Sequence, residues 1–301
     1  MAQETYTLGG APAIVINNCS GDLNIIGQST EAEEVTVVRG ALHNAVQLGE
    51  QLVVEWCDDL RLTVPHGATV VVQRVDGDAR IERLATAQVG EVGGDLDIGF
   101  IRGGCTIGRV GGDARAVTVA NLALGPVGGD VRLEELTGAL RLARVDGDAI
   151  VRGAVDGFGP TGVGGDLTLD IRYTAGHEYR LDVGGDATVA LSAGVDLTLR
   201  ATVGGDVSGL ASHGRGGAEA RWGEGSATLI LHAGGDLAVR GAGAQRPWES
   251  STAASEPGGP EGAATPAPAH AGTAGDTLSV LEAVARGEMS AAEADDLLSR
   301  T

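Results

Sequence analysis

The sequence predicts an all-β protein whose middle is a parallel β-solenoid (β-helix) with coils of 17–20 residues. Three observations predict it: a four-residue unit recurs at nearly constant spacing, period-two apolar stretches follow each copy, and the chain holds 50 glycines with only 3% aromatic residues. Internal repetition is the first thing to establish, because a missed repeat misreads the whole fold.

The unit is Val-(Gly/Asp)-Gly-Asp. Its aspartates are Asp78, Asp95, Asp113, Asp130, Asp148, Asp166, Asp186 and Asp206, at spacings of 17, 18, 17, 18, 18, 20 and 20. Variants stand at Asp236 and, near the start, at Asp22 in SGDLNI. Gly-Gly reads as a corner because glycine reaches backbone angles costly for other residues. The Asp reads as a turn residue bonding its own neighbouring backbone N–H groups. After each Asp the first and third residues are mostly aliphatic, as in Leu96 and Ile98, Val131 and Leu133, or Leu167 and Leu169. That alternation marks a strand with one buried face. Half a coil later a second alternating piece follows, as in Cys105 and Ile107, Leu122 and Leu124, or Leu140 and Leu142. Stacked at the inter-strand distance, the eight evenly spaced corners rise roughly 35 Å. No coil buries its own face, so neighbours supply the stability and the ends need caps.

Taken in chain order, residues 1–72 keep strand patterning without the coil period and read as an N-terminal β cap of antiparallel or irregular strands. Residues 73–240 form the solenoid. Its last interval, Asp206 to Asp236, is 30 residues and reads as a long loop through SHGRGGAEARWGEG before a final strand. Residues 241–275 are a Pro/Ala/Gly linker without core-forming residues, expected to be disordered. Residues 276–301 read as a helical hairpin: Leu278 and Leu281 share one helical face, Gly287 ends the first helix, and Ser290 with Glu293 caps a second carrying Leu297 and Leu298. Helices this short are marginal alone, so these leucines are the candidate interaction residues.

Charge and cysteine usage narrow the function classes. The net charge is −20 and all 21 basic residues are Arg. An acidic surface repels phosphate backbones, which argues against nucleic acid as a partner. Cys19, Cys57 and Cys105 are odd in number and widely spaced, the pattern of reduced thiols rather than a disulfide framework or zinc site. The opening MAQETYTLGG lacks the basic and apolar regions of a signal peptide, and no apolar run reaches the ~18 residues of a membrane span. The expected compartment is the cytoplasm.

Candidate chemistry is sparse. If coils stack in register, neighbouring aspartates repel by about 0.9 kcal/mol even in water, so something must compensate. Backbone N–H groups are the favoured answer, with Arg74, Arg109 and Arg144 as further contributors. Calcium held by Asp95, Asp113, Asp130, Asp148, Asp166, Asp186 and Asp206 is the sharper alternative, although the calcium-binding nonapeptide is absent. Gly157, Gly159 and Gly162 match a dinucleotide fingerprint by letters only, since Pro160 and another corner follow where a helix is required. No metal-binding histidine pair, nucleophile elbow or Lys-dependent phosphate loop occurs. Asp95 and Asp97 share a strand face and could pair as acids, yet corner chemistry explains them without catalysis. Trp222 reads equally as a partner contact or as packing over the last coil. No catalytic residue and no cofactor is expected.

The run LTVPHGATVVVQRVDGDARI, Leu62 to Ile81, followed by repeated V-G-G-D strands, resembles the bacterial putative-adhesin β-strand-repeat family, a domain of unknown function, over about residues 10–240. The tail VLEAVARGEMSAAEADDLL is similar to the short helical-hairpin domain often joined to it. The resemblance implies a β-solenoid without known enzymatic activity, in envelope-associated or stress-related roles. The expected function is therefore a scaffold or interaction protein, with the hairpin mediating self-association or docking on a protein partner. The rivals are a bactofilin-like filament and, less favoured, a carbohydrate-active β-helix enzyme, which 3% aromatic residues equip poorly for stacking on sugars.

Overall fold

A computed structural model describes residues 4–28, 33–156, 158–210, 213–214 and 216–241. The linker and helical hairpin expected in 241–301 fall outside the described residues beyond Gly241. Among the described residues the regular elements are strands, and most pair in parallel.

Two parallel ladders organise the chain. The first joins the residues that follow each corner aspartate, in the register Leu60, Leu23, Ala79, Leu96, Ala114, Val131, Ala149, Leu167, Ala187, Leu237, Val207. The second joins the half-coil pieces and begins Leu52, Ile14, Val70, Ala87, Cys105, Leu122, Leu140. Between the ladders runs a column of corner residues: Cys57, Cys19, Val75, Val92, Val110, Val127, Val145, Val163, Val183, Ala233 and Val203. None of these is more than 6% exposed. Burying each Val or Leu relative to water is worth about 1.5–3 kcal/mol, so these continuous columns are what hold neighbouring rungs together.

A third inward column escapes the period-two pattern. Leu84, Ile101, Val119 and Leu136 each lie six residues after a corner Asp and are buried. Between the +3 and +6 positions sits a residue with left-handed backbone: Arg83 (φ 59°), Phe100 (φ 57°), Thr118 (φ 57°) and Glu135 (φ 53°). The bend resets the alternation, which is why +6 turns inward instead of +5.

The order of rungs in space differs from their order in sequence at both ends. Ala13–Cys19 lies between Gln51–Cys57 and Thr69–Val75, so the first rung of the chain is the second in the stack. Leu237–Arg240 likewise lies between Ala187–Ala190 and Val207–Ser208. The outermost rungs are then covered by antiparallel strands. Glu34–Arg39 pairs with Leu60–Pro65, and Leu42–His43 and Val46–Leu48 pair with Gln51–Cys57. At the other end Gly217–Trp222 pairs with Leu197–Val203.

Two expectations change accordingly. Residues 1–72 contain antiparallel strands, but Ala13–Cys19, Leu23–Gln28, Gln51–Cys57 and Leu60–Pro65 continue the parallel ladders. The expected loop before the last strand is partly a strand, because Ala218, Ala220 and Trp222 alternate inward and close the end.

Candidate functional site

The corner aspartates form one continuous relay. The Oδ1 of each accepts a hydrogen bond from the backbone N–H of the corner Asp on the next rung. Asp95 accepts from Asp113, Asp113 from Asp130, Asp130 from Asp148, Asp148 from Asp166 and Asp166 from Asp186, all at 2.8 Å. Asp78 bonds Asp95 N–H at 2.8 Å, Asp186 bonds Asp236 at 2.7 Å, and Asp236 bonds Asp206 at 2.8 Å. At the opening end Asp59 accepts from Asp22, and Asp22 from Asp78. The bond therefore reaches the neighbouring rung and not, as the turn motif suggests, the residue's own neighbours. Asp59 escapes notice in the sequence because Cys57-Asp58-Asp59 lacks the glycine and is one residue short.

The glycine before each Asp is required by space. A Cβ at Gly94, Gly112, Gly129, Gly165 or Gly185 would lie under 3.0 Å from the Oδ1 of the preceding rung's Asp. None of these glycines has a left-handed φ, so close approach replaces the expected backbone freedom as the reason for glycine. At position one a Cβ on Gly93, Gly111, Gly128, Gly164 or Gly184 would likewise lie under 3.0 Å from a backbone carbonyl oxygen of the neighbouring rung, although Asp76 and Asp146 occupy that position on two rungs.

The arginines do not neutralise the relay. Arg74 pairs with Asp76 through Nε at 2.6 Å and with Glu91 through Nη1 at 2.9 Å, and Arg144 Nε pairs with Asp146 at 2.6 Å. Among the described residues no Arg lies within ion-pair distance of the relay carboxylates from Asp78 to Asp206, and Arg109 makes no ion pair. Compensation comes from the charge-assisted N–H bonds themselves. No group of three or more potential metal ligands gathers among the described residues. Asp97 faces Arg80 at 3.8 Å while Asp95 binds the backbone, so the paired-acid idea brings no two free carboxylates together. Phe158–Val163 is a strand, which removes the helix that a dinucleotide fingerprint needs.

The left-handed corner carries different chemistry. An open groove of about 680 Å³ runs over it, lined by His66, Arg83, Phe100, Ile101, Arg102, Thr118, Ala120, Glu135 and Thr137. Phe100 is half exposed. Thr118 Oγ1 donates to Glu135 Oε2 at 2.7 Å. The His66 imidazole is held below its ordinary pKa, first by burial and then by the nearby Arg102 and Arg83.

Comparison with known proteins adds little. No family model matches the chain, and no curated protein matches it. A crystal structure of a putative cell adhesion protein from Clostridium sporogenes is similar over 79% of this chain and 98% of that one, at 12% identity and a TM-score of 0.19. Neither fold nor function transfers at that level.

The remaining candidates are structural. Cys19, Cys57 and Cys105 are buried free thiols. Cys19 and Cys57 stand where other rungs have the corner Val, and burial pushes the Cys105 thiol up to about 12. Trp222 is buried opposite Leu197, as packing over the end rung requires. Tyr179 is also fully buried, its hydroxyl donating to the Val155 carbonyl at 2.8 Å. Asp196 is held below the usual carboxylate range, first by the Ser226 hydroxyl and then by the Ser226 N–H. Exposed large apolar residues gather on the opening end, at Val38, Val46, Leu48 and Trp56, with His43 stacked on Trp56 at 3.6 Å. Leu278, Leu281, Leu297 and Leu298 lie outside the described residues.

Proposed function

We propose that this chain is a non-enzymatic β-solenoid scaffold acting in the cytoplasm as an interaction protein, in an envelope- or stress-related process. Residues 276–301 serve it as a helical hairpin for self-association or for recruiting a protein partner. The observation that carries this reading is the covering of the outermost rungs by antiparallel strands. A filament of the bactofilin kind needs end rungs that accept the rung of another copy, and here the outer edges of Leu60–Pro65, Gln51–Cys57 and Leu197–Val203 are already paired. Support for a structural role of the aspartates comes from their engagement with backbone N–H groups along the stack. The exposed apolar residues of the opening end supply a surface suited to a protein contact.

Sedimentation velocity and negative-stain microscopy of the full chain, beside a version ending at Gly241, test the reading. Discrete particles are expected, with oligomers or captured partners lost on truncation. Filaments that lengthen with concentration would replace it with the polymer reading.

A further inference from the structure

We propose that the groove over the left-handed corner binds a small organic anion with a flat apolar body, its charged group at Arg83 and Arg102 and its body over Phe100. The first support is electrostatic. On a chain of net charge −20, Arg74, Arg80, Arg132, Arg144 and Arg180 each sit within 3.0 Å of a carboxylate. Arg102, like Arg61, Arg109, Arg141, Arg172 and Arg240, makes no ion pair among the described residues, and Arg83 has only Glu82 at 3.8 Å, which Arg80 already holds at 2.5 Å; of these, Arg83 and Arg102 share one groove with an exposed aromatic ring. Both guanidinium groups line the groove together with His66. Two guanidinium groups on one groove, with Glu82 at 3.8 Å from Arg83 as the one acid paired to either, leave a place for an external carboxylate or phosphate, which a guanidinium binds through paired N–H donors.

The second support is the backbone. A left-handed backbone is unfavourable for a non-glycine residue, and four successive rungs carry one. The side chains kept at this expense include half-exposed Phe100, one of only 2 Phe in the chain. Residues held in such backbone regions cluster at ligand-binding sites and switch regions. The third support sets the size. Arg83 and Glu135 are three rungs apart, about 14 Å at the inter-strand spacing. Glu135 repels a second negative charge, so the ligand is a single-ended anion shorter than that span.

Calorimetric titration of the full chain with 2-naphthoate, with its neutral counterpart 2-naphthylmethanol and with inorganic phosphate tests the site. Naphthoate should bind, and both other probes should bind at least about tenfold more weakly. Arg102→Gln and Phe100→Ser should each weaken naphthoate by about tenfold, Arg102→Lys by less, and Arg240→Gln not at all. Arg83, Phe100, Arg102 and Arg240 are all exposed, so unchanged melting curves will show that the fold is intact. No naphthoate binding up to about 10 mM would overturn the proposal, as would equal affinity in the Arg83→Gln/Arg102→Gln double variant. Phosphate binding as tightly as naphthoate would remove the apolar half of the site. The scaffold reading is tested by sedimentation and does not depend on this result.

Discussion

On the four rungs that follow Asp78, Asp95, Asp113 and Asp130, two corners solve the same bending problem in opposite ways. The Gly-Asp corner uses ordinary backbone angles and nearly the same residues on every rung, and its side chains bond the rung beside them. The left-handed corner uses a strained backbone and a different residue each time: Arg83, Phe100, Thr118, Glu135. Uniformity belongs to the corner whose carboxylates and amides satisfy one another. Variety belongs to the corner whose side chains face outward, and the candidate binding groove lies there.

The comparison breaks most sharply at the glycines. Gly129→Ala places a Cβ against Asp113 Oδ1 and the Gly112 backbone, and should destabilise the protein by about 2–3 kcal/mol in urea unfolding. Gly104→Ala, on the outer face with nothing within 4 Å and no left-handed angle, should stay within about 0.5 kcal/mol of the parent. Equal effects at the two sites would remove the close-approach explanation.

A smaller contrast separates hydrogen bonding from charge along the relay. Asp113→Ala leaves the Asp130 N–H without its acceptor and should cost about 1–2 kcal/mol. Asp113→Asn keeps an acceptor oxygen and relieves repulsion along the ladder, so its stability should match or exceed the parent, most of all at low salt. A loss in Asn as large as in Ala would show that the negative charge itself is needed.

The smallest effect is expected at the strained corner. Thr118 is β-branched at φ 57°, and Asn tolerates that region far better. Thr118→Asn should therefore stabilise by roughly 0.5 kcal/mol, less whatever the Thr118–Glu135 bond contributes. Destabilisation by more than about 1 kcal/mol would mean that the left-handed angle carries no strain.

These contrasts also explain what the sequence reveals. Corner aspartates and period-two aliphatic pairs are legible because each repeats a local demand: space for a carboxylate, one buried strand face. The +6 column of Leu84, Ile101, Val119 and Leu136 is hidden, since a single left-handed residue shifts the phase without a glycine to announce it. Asp59 is hidden by a corner one residue short. Exchanged rung order has no local signature at all, because each strand edge offers the same N–H and C=O groups to any neighbour. Of the groove, the sequence shows Arg83, Phe100 and Arg102 as scattered letters; only the stacking register of the rungs brings them together.

That register can be read directly by disulfide trapping at the closing end. Thr188 and Ser208 are each in register with Ala238, while no strand pairing joins Thr188 to Ser208. In-register neighbours lie within the roughly 4.4–6.8 Å Cα separation that a disulfide spans. Under mild oxidation the Thr188→Cys/Ala238→Cys and Ser208→Cys/Ala238→Cys pairs should cross-link within one chain, and Thr188→Cys/Ser208→Cys should stay reduced. Efficient cross-linking of Thr188→Cys with Ser208→Cys would put the rungs in sequence order and contradict the inserted, strand-covered end.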